Sequence, residues 1–181
     1  MDKKALMDAA ASLLGEAEVM SGTPTPLYDA LEDSVHQAVR LALDYTHWDF
    51  ALDRAVCRVV DGCTEELPAD CLEVREVEGV SNWRRAGNRI YADGVQELVV
   101  WYKSGKLAET LKLPDNEPFF CEGCVLLLAA KAAPRVTGNF NLGSQLEKKA
   151  YGALYRAKLK EARSADSNDQ KPNTENIWER I

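Results

Sequence analysis

The chain has 181 residues, 46% of them hydrophobic, and a formal net charge of -7. That apolar content supplies a core for one domain of about 100–150 residues and excludes global disorder. The acidic balance excludes a general nucleic-acid-coating role, because phosphate affinity comes from clustered Lys and Arg, but it lets DNA pass without sticking.

The first predicted element is a short amphipathic helix over Lys3 to Leu14, with Leu6, Ala9, Ala10, Leu13 and Leu14 on one side and Gly15 as its stop. A second helix is predicted from Pro26 to His47. Thr25 can cap its first amides, and Pro26 suits the first turn. Asp29, Glu32 and Asp33 complement the positive helix end. Leu27, Leu31, Val35, Ala38, Val39, Ala42 and Tyr45 recur at helical spacing.

After Trp48 the period changes. Residues 51–62, ALDRAVCRVVDG, tend to extended structure and close on an Asp61-Gly62 turn signal. In LPADCLEVREVEGVSNW (67–83), Leu72, Val74 and Val77 are expected to face one way, with Glu73 and Arg75 facing the other. Residues 88–104 read as a hairpin, with Ile90 and Tyr91 turning at Asp93-Gly94 into Leu98 to Tyr102. Trp48, Trp83 and Trp101 read as core aromatics.

The helical period returns near Glu117. EPFFCEGCVLLLAAKAAPRVTG is apolar nearly all round and is predicted to be the central buried helix, kinked or ended by Pro134. The last helix is expected from Leu142 to about Arg163, capped by Asn141. Its inward stripe is Leu142, Leu146, Ala150, Ala153, Leu154 and Ala157. The end, SADSNDQKPNTENIWERI, is polar until its last five residues and is expected to be flexible in the free protein. No internal repeat is visible.

The five cysteines, an odd number, together with a start (MDKKALMDAA) that lacks an apolar leader core, suggest synthesis in a reducing cytosol. The longest apolar run, Cys124 to Ala133, falls short of the roughly 20 residues that span a bilayer. Cys121 and Cys124 form one CxxC, but zinc spacing wants a second pair, and both lie in the apolar helix, where a small buried thiol is ordinary. Neither a phosphate-binding loop nor a nucleophile in a strand-turn-helix setting is present. No catalytic residue, metal ligand or cofactor is expected.

Two stretches suggest partners instead. The last helix carries Lys148, Lys149, Arg156, Lys158, Lys160 and Arg163 against few acids. That pattern suits a solvated helix end, or a basic stripe that meets an acidic partner or DNA, with Lys148, Lys149, Arg156 and Lys160 as its candidate contacts. The terminal NIWERI sets Ile177, Trp178, Arg180 and Ile181 behind a polar linker, a pattern that fits an anchor for a partner's pocket or sheet edge.

The order of segments resembles the head-to-tail adaptors of tailed bacteriophages, the group of tail tubular protein A and the head-completion adaptors of short-tailed phages. The resemblance runs from about Leu13 to Asp169. It rests on the Trp48-Asp49-Phe50-Ala51 helix end with Arg54, on LPADCLEV, Trp83, GNRIYAD and ELVVWY, and on the two closing helices. It implies a structural virion protein, not an enzyme, that forms a ring under the portal, commonly of twelve copies. Such a ring joins the portal to a tail or nozzle protein and encloses the channel through which double-stranded DNA leaves without specific binding.

The expected fold is therefore mainly α: a bundle of about four helices over residues 1–163, with a small antiparallel β-insertion at about 52–103 between the second and third main helices. Residues 164–181 form an extended C-terminal tail, a candidate portal anchor. The expected location is the head-tail junction of the virion, and the host cytoplasm during assembly. The expected state is a monomer alone and a ring on the portal, because a template raises the effective concentration of neighbours. The alternatives are a tail-completion (stopper) protein, or a small intracellular helical enzyme or regulator using the Cys121/Cys124 pair.

Overall fold

The structure is a computed structural model that describes residues 1–15 and 25–169, with side chains to residue 163. Helix α1 spans Lys3–Leu13, and Asp2 caps it by accepting from the Ala5 amide at 2.9 Å. Its buried stripe is Leu6, Met7, Ala10 and Ala11, rotated from the expected one, so that Leu13 is 43% exposed. Helix α2 spans Pro26–Asp44, where Thr25 Oγ1 accepts from the Tyr28 amide at 3.0 Å and Pro26 occupies the first turn. It stops one turn earlier than the periodicity suggested. The buried Trp48 folds back and donates its indole N–H to the Ala42 carbonyl at 2.9 Å, taking up an acceptor of the last turn.

A 3-10 turn at Asp49–Ala51 leads into six strands: β1 Leu52–Val60, β2 Cys63–Thr64, β3 Cys71–Val77, β4 Arg84–Ala86, β5 Arg89–Tyr91 and β6 Glu97–Ser104. They form one antiparallel sheet in the order β3-β6-β1-β2-β5-β4. The expected mainly-α bundle with a small insertion is therefore wrong. This is a mixed α/β fold, with a six-stranded curled sheet beside five helices among the described residues. The sheet was underestimated because β2, β4 and β5 have only two or three residues each. Runs that short show no period to read, and they exist only through their neighbours.

The pairing differs as well. The expected hairpin between Ile90-Tyr91 and Leu98–Tyr102 does not form. Instead β6 lies along β1 from Leu52↔Lys103 to Arg58↔Glu97, and β5 pairs with β4 and β2. A seven-pair ladder outweighs a short hairpin. The Asp61-Gly62 turn forms, with φ of +52° and +74°, the geometry that a two-residue hairpin loop requires. In β3, register shifts at Cys71/Glu73 and Val74/Glu76 break the alternation. Cys71, Val74 and Val77 therefore join the sheet's core, whereas Leu72, expected inside, packs on the helical core.

Helix α3 (Lys106–Thr110) follows β6, and α4 (Pro118–Thr137) is the buried centre of the helical body. Pro134 lies within α4 without ending it; Gly138, at φ +67°, does that. Helix α5 runs Phe140–Asp169, longer at both ends than expected. Its cap is Asn139, not Asn141: Asn139 Oδ1 accepts from the Leu142 amide at 3.0 Å. The expected inward residues Leu146, Ala150, Ala153, Leu154 and Ala157 are all buried.

Two hydrophobic clusters result. The larger joins α1, α2, α4 and α5, and is closed by Trp48, Phe50 and Phe120, with ring centroids 4.9–5.5 Å apart. The smaller fills the curl of the sheet with Cys57, Leu67, Cys71, Val77, Ile90, Leu98, Val100 and Tyr102. Trp83 packs only at its margin, and Trp101 sits half-buried, donating to Glu78. Of the three tryptophans expected in the core, Trp48 alone is fully enclosed.

Helices α4 and α5 meet at Gly123, where an added methyl would stand 2.5 Å from Leu154 Cδ2. Gly123→Ala should therefore lower stability by about 1–3 kcal/mol through overpacking, despite the better helix propensity of alanine. Thermal unfolding followed by circular dichroism tests this; a variant as stable as the parent would show that the contact relaxes freely.

Candidate functional site

The root of the sheet holds a polar cluster that sequence reading did not single out. Asp53 on β1, Asp70 just before β3, Tyr102 and Ser104 on β6 and Lys106 on α3 converge there. Lys106 forms an ion pair with Asp53 and lies 4.0 Å from Asp70 Oδ2. Ser104 donates its hydroxyl to Asp70, and the Gly105 amide donates to the Asp70 carbonyl at 2.7 Å. The hydrogen bond from Lys106 holds the Asp53 carboxyl below the usual range, and the same contact raises Lys106. Burial, together with Asp70 and Asp53, pushes Tyr102 up to about 12.

Beside it, the buried Lys103 reaches Glu73 at 3.3 Å, and Glu73 lies 3.8 Å from His47. His36 donates Nδ1–H to the Ala108 carbonyl at 2.7 Å, tying α2 to α3. The Asp53–Lys106, Ser104–Asp70, Lys103–Glu73 and His36–Ala108 contacts fasten the sheet root and α3 to their surroundings. Ser104 donates to a carboxylate rather than facing a base in an open cleft, which is a fastening arrangement, not that of an activated nucleophile.

Cys124 is enclosed in α4, whereas Cys121 lines a groove between α1 and α4. Burial pushes the Cys121 thiol up and the Cys124 thiol well up, and Cys121 Sγ contacts the Pro114 carbonyl at 3.3 Å. Reactive and metal-binding cysteines need the opposite shift. Among the described residues no group of three His, Cys, Asp or Glu is placed to hold a metal ion, and no helix is long and apolar enough to cross a membrane.

The structure divides the expected basic contacts. Arg156 forms a two-armed contact with Glu122 at 2.9 and 3.0 Å and lies over Phe119, and Lys160 reaches Glu117 at 3.1 Å and the Asn116 carbonyl at 2.8 Å. Both fasten α5 to the start of α4. Lys148 and Lys149 remain exposed, and with them Lys158, Tyr151, Tyr155 and Leu159. Tyr151, Tyr155 and Leu159 recur every fourth residue and form an exposed stripe opposite the buried one, with the Tyr151 ring stacked on Tyr45 at 5.9 Å. Sequence reading missed this stripe, although its spacing was visible. Ile177, Trp178, Arg180 and Ile181 lie outside the described residues.

An apolar groove lies between α1 and the first half of α4, with a volume of about 540 Å³. Leu13, Pro118, Val125 and Leu126 form its walls, and Asp115 and Glu122 stand at its rim. A polar recess at the sheet tip, of about 300 Å³, has Arg84 stacked over Tyr91 at 4.9 Å.

No family model matches the chain, and comparison with curated proteins finds no match.

The Asp53–Lys106 pair gives a signed pH dependence. A carboxyl whose pKa is depressed by folding contributes stability above its ordinary value of about 4 and loses it as pH falls through the folded value. Acidification should therefore narrow the Tm gap between the parent and Asp53→Asn. The gap should be small and salt-sensitive, because Asp53 is 38% exposed. Thermal melts from pH 7 down to the acid limit test this, and a gap that widens on acidification would refute it.

Proposed function

We propose that this chain is a structural virion protein, a head-to-tail adaptor that assembles as a ring beneath the portal and joins it to the tail. The observation that carries the reading is the outer face of α5. Helix α5, residues 140–169, holds six basic and four acidic side chains, a net of +2 in a chain of -7, which leaves -9 on the rest. An exposed stripe of tyrosine, leucine and lysine on one element of an otherwise acidic molecule is suited to meet the acidic surface of the next copy. Head-to-tail contacts of that kind close into rings.

On this reading Arg156 and Lys160 shape the subunit, and Lys148, Lys149 and Lys158 serve the contact. The curled sheet has its own small core, so it can meet a tail component while the helical body holds its neighbours. The acidic remainder suits a channel that DNA leaves without being gripped. The terminal Ile177, Trp178, Arg180 and Ile181 are the proposed portal anchor.

The enclosure of Cys124 and the upward shift of both thiols weaken the alternative of an enzyme or regulator built on Cys121 and Cys124. The six-stranded sheet favours the related alternative, a tail-completion protein, more than the sequence did.

Electron microscopy of the protein mixed with portal complexes tests the reading. A ring seated directly on the portal is expected. Reversing Lys148, Lys149 and Lys158 to Glu together should leave helical content unchanged and reduce ring occupancy at least about tenfold, since like charges across a contact cost several kcal/mol. A ring found only at the tail end would favour the completion protein. Absence of any assembly would refute both.

A further inference from the structure

We infer that the groove between α1 and α4 is an intrachain dock for the C-terminal segment Ile177–Ile181, with Trp178 as the inserted side chain. The inference is independent of the adaptor reading and needs no virion partner.

The geometry of α5 points to it. Helix α5 returns antiparallel along α4, as the Arg156–Glu122 and Lys160–Glu117 pairs require. Glu122 belongs both to that contact and to the groove rim, and Pro118 lines the groove one residue beyond Glu117. Helix α5 therefore runs past the N-terminal end of α4, whose first turns line the groove. From Lys160 to Asp169 the helix advances about 13 Å. The eight residues from Asp169 to Ile177 span up to about 27 Å. That length covers the return along the helix and a crossing of one helix width, about 10 Å.

The chemistry matches too. A volume of about 540 Å³ lies in the range of clefts that enclose ligand-sized groups. Leu13, 43% exposed, and the adjoining Val125 and Leu126 offer the apolar walls that an indole fills. Apart from Pro172, the apolar residues of 170–181 are Ile177, Trp178 and Ile181, and the Glu179–Arg180 pair between them adds no net charge beside Asp115 and Glu122, which the N-terminal ammonium and Arg156 already neutralise. On the adaptor reading, the segment must leave its own groove before it reaches a portal, so docking would hold the free subunit back from premature engagement.

The test uses the full chain, a chain ending at Asn176, and a fluorescent peptide of residues 173–181. Saturable binding of the peptide to the truncated chain is expected, measured by anisotropy. Binding to the full chain should be at least about tenfold weaker, because the tethered segment competes at an effective concentration near millimolar. Trp178→Ala in the peptide, or Leu13→Glu in the truncated chain, should abolish binding. Leu13 is exposed enough for the variant to fold, which circular dichroism checks. No saturable binding, equal binding to both chains, or indifference to Trp178→Ala would overturn the inference. Sedimentation separates a second copy as occupant: a dimer of the full chain that is lost on truncation would overturn the intrachain dock in favour of an exchange between subunits.

Discussion

The fold hinges on what happens to the chain at Trp48. Its indole donates to the Ala42 carbonyl, and its ring packs on Phe50 and Phe120. One side chain thus satisfies the end of α2, stops that helix and seats the following turn against α4. A buried aromatic of this size is fixed in place by its own burial, and its N–H must find an acceptor. Because Trp48 is held, Leu52 begins β1 at a defined point, and the whole register of β1 against β6 follows. A slip of one residue would turn Cys57 out and Val56 in, and the sheet's core would be lost.

The second fastening is electrostatic and lies at the same root of the sheet, where Leu52 pairs with Lys103. Lys106, Asp53, Asp70 and Ser104 close the return from β6 into α3, as His36 closes α3 onto α2. These contacts are partly exposed, so each is modest. Their role is positional: two hydrophobic clusters, one helical and one inside the curl of the sheet, are held together by short polar ties. That arrangement leaves the sheet a distinct projection, and leaves α5 with one face spent on α4 and another turned outward.

The charges divide along the same line. Arg156 and Lys160 are consumed by Glu122 and Glu117 at the start of α4. Lys148 lies along Tyr151, Tyr155 and Leu159 on the outer surface, and Lys149 and Lys158 are exposed on its two flanks. In sequence these basic residues form one group, and only the packing of α5 on α4 separates internal braces from surface contacts. The groove beside α1 arises in a comparable way. Once Met7 and Ala11 turn inward, Leu13 is left on the open side.

By itself the sequence determined the existence of the four longer helices, the capped start of α2 and the inward faces of α2 and α5. Pro26 behind Thr25, and the inward spacing from Leu146 to Ala157, act within a few turns of chain, where 3.6-residue periodicity and capping are local physics. The Asp61-Gly62 turn was local in the same sense, because its positive φ angles are cheap for those residues. Tertiary structure alone decided the extent of the sheet, the partner of each strand and the two irregularities of β3 that bring Cys71, Val74 and Val77 to one side. It also decided which cations face inward and where the groove lies. Each of these depends on contacts between residues far apart in the chain, and a strand of two or three residues has no preference strong enough to declare itself before its neighbours are in place.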